Sequence, residues 1–166
     1  MKLDSPPKSA KRAGSLEKAL GRALKFLSHR ARSEAEVRTR LAQLSFPRKI
    51  IETTLEKLRS LRLVNDENFA RGWALSRIEG RGYGPLRIER ELRHKGVAKS
   101  LVSQIVEDSF GGQEGKERAR LLLERRFRDK DLTDVRILRR AVAFLQRRGY
   151  RDSVIAEVLK QPFGDD

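Results

Sequence analysis

One segment of this chain has the residue types of a phosphate-binding loop, Gly80-Arg81-Gly82-Tyr83-Gly84-Pro85. A dinucleotide fingerprint needs a strand before it and a different glycine spacing, and a Walker loop ends in Gly-Lys-Ser/Thr. Here a helical pattern precedes the glycines and Pro85 follows them. The segment therefore reads as a tight turn between helices, with glycines in conformations that other residues disfavour. The remaining reactive types are sparse. His29 and His94 are the only histidines; neither has acidic neighbours at ligand spacing, and both read as surface helix positions. Glu79, Glu89 and Glu91 lie among arginines at helical spacing, which suits i,i+4 ion pairs better than an acid–base couple. Serines abound, but no histidine stands in a recognisable pattern to activate one. Without cysteine, thiolate metal sites and disulfides are excluded. No catalytic residue, metal ligand or cofactor is expected.

The basic residues carry more information. Lys plus Arg number 38 against 23 Asp plus Glu, a net charge of +15. Most of the excess is arginine, whose planar fork suits phosphates and carboxylates. A footprint of this kind points to nucleic acid, or to a partner that carries it. Arg77, Arg81, Arg87, Arg90, Arg93 and Lys95 cluster around the glycine turn and the helix after it. Further on, Arg139, Arg140, Arg147 and Arg148 belong to a stretch where arginines outweigh the acids. Helical spacing puts Arg87, Arg90, Arg139 and Arg140 on faces away from Ile88, Leu92 and Leu145. Some of these cations need do no more than solvate the surface.

The elements that must position them repeat. Leu41, Phe46, Ile50, Ile51 and Leu55 are matched without a gap by Leu92, Val97, Leu101, Val102 and Val106. Leu145, Tyr150, Val154, Ile155 and Leu159 match them again. Tandem units of this size complete one another's cores. Helical periodicity predicts a first helix from about Leu16 to Ser28. Ser33 and Glu36 form a capping box that starts the second helix at Glu34, and Pro47 suits the first position of the third. Asn65–Asp66 cap the next helix, Gly80, Gly82 and Gly84 break it, and Pro85 opens another. Gly96 turns the chain, and Gly149 stands where Gly96 stood. Gly111, Gly112 and Gly115 mark a hinge, with helices beyond it near 116–128, 134–147 and 152–160. Trp73 sits on the apolar stripe and reads as core of the middle unit rather than as a base-stacking platform.

These patterns predict an all-α chain of three tandem three-helix repeat units in a curved, elongated array. The units are 15–64, 65–112 and 113–162, after a disordered tail at 1–14. With 38% apolar and 6% aromatic residues, a string of small cores fits better than one large one. No apolar run reaches the ~20 residues of a membrane span, and the basic N-terminus lacks the apolar stretch of a secretory signal.

The middle unit carries a specific signature: Val64-Asn65-Asp66-Glu67-Asn68-Phe69-Ala70, Arg77, Gly82-Tyr83-Gly84-Pro85, Arg87-Ile88, Glu91-Leu92 and Lys95-Gly96-Val97. It resembles the RecX family of bacterial recombinase regulators. Ala23 to Leu27, Arg32-Ser33-Glu34 and Leu41 resemble the family's opening helices, and Phe144-Leu145, Arg148-Gly149-Tyr150 and Ile155 its last ones. The resemblance covers about residues 16–160. One departure is the turn Leu61-Arg62-Leu63-Val64-Asn65-Asp66, where the family's glycine and tyrosine are missing. The lack of cysteine suits a cytoplasmic protein, the lack of a catalytic constellation a non-enzyme and the lack of an extra dimerisation segment a monomer. The resemblance implies binding to the RecA recombinase filament on DNA. It implies inhibition of ATP hydrolysis and strand exchange, and so modulation of recombination and DNA repair. Charge alone adds DNA contact through phosphates, independent of sequence, by Arg77, Arg81, Arg87, Arg90, Lys95, Arg139, Arg140, Arg147 and Arg148. The alternative is a stand-alone helix-turn-helix-like DNA-binding regulator, which would call for a base-reading helix and usually a symmetric dimer.

Overall fold

The computed structural model describes residues 8–160, with side chains from Ser15 onward. All regular structure among them is helical, in nine helices: α1 Lys8–Leu27, α2 Glu34–Gln43, α3 Arg48–Ser60, α4 Asp66–Arg81, α5 Pro85–His94, α6 Lys99–Phe110, α7 Glu114–Phe127, α8 Val135–Arg148 and α9 Asp152–Lys160. The expected all-α class is what the chain adopts. Helix α1 begins at Lys8, well before the apolar stripe that announces it. Ala10, Lys11, Arg12 and Ala13 favour helix without needing a buried face, so part of the expected tail is helical; residues 1–7 lie outside the described residues. Pro47 is the N-cap of α3, with φ −60° and ψ 144°, one residue short of its expected place. Gly80 does not end α4, which runs on to Arg81. The expected glycine hinge is a short turn, and Gly115 is already inside α7 and buried.

The chain divides into two compact units. One runs to Phe69 and includes Lys95–Val97; the other holds Ala70–His94 and the chain from Ala98 on. In the first, α1, α2 and α3 pack mutually around Ala19, Ala23, Val37, Leu41, Ile51, Leu55, Leu58 and Val64. In the second, α5 packs on α6, α6 on α7, and α7, α8 and α9 on one another. The last three enclose Ala119, Leu123, Phe127, Ala141, Leu145, Tyr150, Ile155 and Val158. Each large side chain sealed in these cores contributes ~1.5–3 kcal/mol before entropy is subtracted.

The repeat skeleton survives in burial, with one shift. Leu41, Leu92 and Leu145 are all 0% exposed, and Ile51, Val102 and Ile155 are buried beside them. At the last position Leu55 is sealed as expected, but Val106 and Leu159 are only half-buried, and Ile105 and Val158, with Thr54, form the buried column one residue earlier. Helix period allows either i+3 or i+4 to stay on the inner face, and the sequence match alone selects i+4. Thr54 is tolerated there because its hydroxyl donates to the Ile50 carbonyl at 2.7 Å.

A second repeat column lies in the turns. Gly96 and Gly149 have φ of 75° and 88°, and their counterpart in the first repeat, Ser45, sits at φ 60° without being glycine. Arg62, where the family glycine is missing, likewise takes φ 55°. A side chain in that left-handed region costs ~1–2 kcal/mol. Ser45→Gly should therefore raise the free energy of chemical unfolding by about 1 kcal/mol, with no change in helical circular dichroism. A neutral or destabilising result would show that Ser45 carries no such strain.

Candidate nucleic-acid interface

Two seams join successive repeats, one within each compact unit. In the first, Ser33 caps α2 in the expected box: its hydroxyl accepts from the Glu36 N–H at 3.1 Å, and Glu36 accepts from the Ser33 N–H at 3.2 Å. The Glu34 N–H donates to Asp66 at 2.8 Å, completing the cap. The Ser33 hydroxyl also donates to the Lys95 carbonyl at 2.6 Å. Gly96 faces Ala35 so closely that a Cβ on Gly96 would overlap the Ala35 Cβ. Glu36 is the charge centre, receiving Arg30 at 2.7 Å and Lys95 at 3.0 Å, with Arg32 at 3.9 Å.

Burial alone would raise the Glu36 pKa. Hydrogen bonds from Arg30, Lys95 and the Ser33 N–H, with the charge of Lys95, outweigh it and bring the carboxyl from its ordinary 4.5 to about 2. A carboxyl depressed in the folded state stabilises fully above its unfolded pKa and loses that contribution as pH falls toward the folded value. Unfolding free energy should thus decline between pH 4.5 and about 2, and Glu36→Gln should flatten that part of the profile. An unchanged slope in the variant would assign the acid sensitivity elsewhere.

In the second seam the glycine turn before α5 meets the glycine turn after α8. The Gly84 N–H donates to the Arg148 carbonyl at 2.8 Å and the Leu86 N–H to the Gly149 carbonyl at 3.0 Å. A Cβ on Gly84 would lie 2.8 Å from the Gly149 backbone, and one on Gly149 2.6 Å from the Arg87 nitrogen. Gly82, at φ 62°, is closed over by Leu122, 2.5 Å from where its Cβ would be. The glycines serve close backbone contact, and the N–H groups of Gly84 and Leu86 are spent on carbonyls. The segment is an interhelical turn, as expected; a phosphate cradle made of these amides does not form.

Around this seam the arginines gather. The Arg87 guanidinium lies 4.0 Å from the centre of the Tyr83 ring and donates to the Arg147 carbonyl at 3.0 Å. Arg81 donates to the Tyr83 hydroxyl at 3.2 Å. Arg148 stacks 3.9 Å from the Phe144 ring. Burial holds the Arg148 pKa below its ordinary value, and the like charges of Arg126 and Arg147 act in the same direction. The Nε atoms of Arg87 and Arg148 are buried without a hydrogen-bond partner, as are those of Arg32, Arg118 and Arg120.

The residues expected at an interface fall into four groups. Arg81, Arg87, Arg147 and Arg148 meet at the second seam. Arg77 is engaged internally: it lies 4.2 Å from the Trp73 ring and donates to Glu91 at 3.2 Å, beside the Trp73 indole N–H at 3.0 Å. Lys95 belongs to the first seam, on Glu36. Arg90, Arg139 and Arg140 are exposed and, like the Arg147 side chain, form no ion pair among the described residues. Trp73 is half-buried rather than sealed in the core, because its indole N–H must reach Glu91. In the sequence Glu91 looks like one more surface carboxylate; in the fold it gathers Trp73, Arg77 and, at 3.7 Å, Arg87. The expected i,i+4 pairing does occur, in Arg87–Glu91 and Arg93–Glu89. Arg126 stands out in the sequence only as part of the charge excess. Both histidines are exposed, no metal-binding cluster occurs among the described residues, and no described helix is long and apolar enough to cross a membrane.

Tandem helical repeats joined by glycine seams and dressed with unpaired arginine define a basic binding scaffold. Family models identify which one. Models described as the first, second and third three-helix domains of RecX match residues 19–58, 65–105 and 113–159. Regulatory protein RecX of Mycobacterium ulcerans (strain Agy99) is 33% identical over 161 residues, covering 96% of this chain and 92% of the relative. That of Mycobacterium avium (strain 104) is 32% identical over the same shares. A crystal structure of regulatory protein RecX superposes with a TM-score of 0.74 at 28% identity, covering 96% of this chain and 79% of the other. RecX from Lactobacillus salivarius shares the fold, with a TM-score of 0.77 at 22% identity over 90% and 97% of the two chains. The chain belongs to the RecX family, and that family gives it a regulatory role.

Proposed function

We propose that this protein binds the RecA recombinase assembled on DNA and inhibits its ATP hydrolysis and strand exchange, acting as a cytoplasmic monomer. The observation that carries the reading is a family regulator with a net charge of +15 whose exposed arginines Arg90, Arg139, Arg140 and Arg147 have no acidic partner among the described residues. Such cations are available to phosphates at no internal cost. Units 15–64, 65–112 and 113–162 each add modest contacts, which sum through high effective concentration on a repeating filament. Arg77, Arg81, Arg87, Lys95 and Arg148 belong to the proposed interface as further sources of positive charge. The test is co-sedimentation with DNA of several unrelated sequences, with and without recombinase and ATP. Binding to all sequences, weakened by salt and strengthened by the ATP-bound filament, supports the reading. Salt-resistant binding to one sequence, indifferent to recombinase, would replace it with a helix-turn-helix reader.

A further inference from the structure

The two seams are counterparts in the repeat, yet their electrostatics are opposed. In the register that aligns Leu41, Leu92 and Leu145, Glu36 corresponds to Arg87, Lys95 to Arg148, and Gly96 to Gly149. The acceptor carbonyls are shared: the residue before the second helix, Ser33 through its hydroxyl or Gly84 through its N–H, donates to the carbonyl of Lys95 or Arg148. The charges are not. The first seam closes on the Glu36 carboxylate, which satisfies Arg30 and Lys95. The second has a guanidinium at that position and holds Arg81, Arg87, Arg147 and Arg148 together, with Arg126 close enough to be felt by Arg148. The acid paired with Arg87 is Glu91, whose Oε2 is taken by Trp73 and Arg77 and whose Oε1 stands 3.7 Å from the Arg87 guanidinium. Arg81, Arg147 and Arg148 have no acidic partner among the described residues.

We propose that the second seam is a phosphate-binding site, at which a nucleic-acid phosphodiester supplies the negative charge that the Glu36 carboxylate supplies in the first. Arg87 and Arg148 are its principal donors, each held by an aromatic ring that leaves the guanidinium pre-oriented. Arg81 and Arg147 add charge at the rim. This rests on the DNA-binding part of the proposed function and assigns it a place.

The experiment needs no recombinase, so it fails separately from the filament reading. Binding of pyrophosphate and of an oligothymidylate to the full chain is measured by calorimetry at moderate salt, with Arg87→Gln, Arg148→Gln, Arg87→Glu and the Arg139→Glu/Arg140→Glu pair. The expected result is that either glutamine variant weakens both ligands about tenfold. Arg87→Glu should abolish pyrophosphate binding, its own carboxylate taking the site. The Arg139/Arg140 pair should weaken the oligonucleotide but leave pyrophosphate unchanged. The glutamine variants keep the seam glycines, and their helical circular dichroism reports folding. A parent that binds the oligonucleotide while Arg87→Gln and Arg148→Gln do so equally well overturns the proposal. So does a loss of pyrophosphate binding as large in the Arg139/Arg140 pair as at the seam, which would mean bulk charge.

Discussion

Replacing Gly149 by alanine should destabilise the second compact unit by about 2–5 kcal/mol, combining left-handed strain with overpacking against backbone. The added Cβ would sit 2.6 Å from the Arg87 nitrogen and 2.7 Å from its Cβ, at φ 88°. Neither neighbour is the free end of a flexible side chain, so relief requires the turn after α8 to withdraw from α5. That withdrawal breaks the bonds from Gly84 and Leu86 to the Arg148 and Gly149 carbonyls. Gly80→Ala is the internal control: nothing lies within 4 Å of its Cβ position, and alanine in a helix gains about 0.5–1 kcal/mol over glycine. Chemical unfolding of the two variants should move in opposite directions. Equal, small effects would mean that the seam is not closed as described.

The second large effect is on nucleic-acid affinity. Arg90, Arg139, Arg140 and Arg147 are exposed and carry no ion pair among the described residues, so reversing all four to glutamate should leave the fold intact. Exposed substitutions usually change stability by only ~0.5 kcal/mol each. Removing one phosphate-binding cation should reduce the slope of log affinity against log salt by ~0.7–0.9. Reversal of four such cations should therefore flatten the salt dependence by about 3 and cut affinity at low salt on the order of a hundredfold. Arg77→Glu should behave differently. It removes a cation 4.2 Å from the Trp73 ring and places a charge against Glu91, so its main effect is on unfolding. If the quadruple variant binds like the parent, these arginines only solvate the surface.

The repeat skeleton was legible because tandem units put the same side chains on the same inner faces. Leu41, Leu92 and Leu145 needed no structure to be found. Ser33 with Glu36 announced the start of α2, since a capping box is confined to a single turn of chain. Ser45 was not legible as the partner of Gly96 and Gly149, because nothing in a serine states that its φ is positive. The interface was legible only as an excess of arginine. Which cations remain free depends on contacts across long sequence separations: Lys95 finds Glu36 and Arg77 finds Glu91, whereas Arg139 and Arg140 find no acid among the described residues. The second seam also escaped the sequence, although Glu36 and Arg87 occupy matching positions. A repeat aligned on apolar residues draws no attention to a charge reversed between its copies.

The most direct test of the account is ATP hydrolysis by recombinase already assembled on single-stranded DNA, followed as this protein is titrated in. Hydrolysis should fall at amounts below one copy per recombinase subunit, and the Arg90, Arg139, Arg140 and Arg147 reversal should relieve that fall. Undiminished hydrolysis at a full equivalent of folded parent protein would contradict the account.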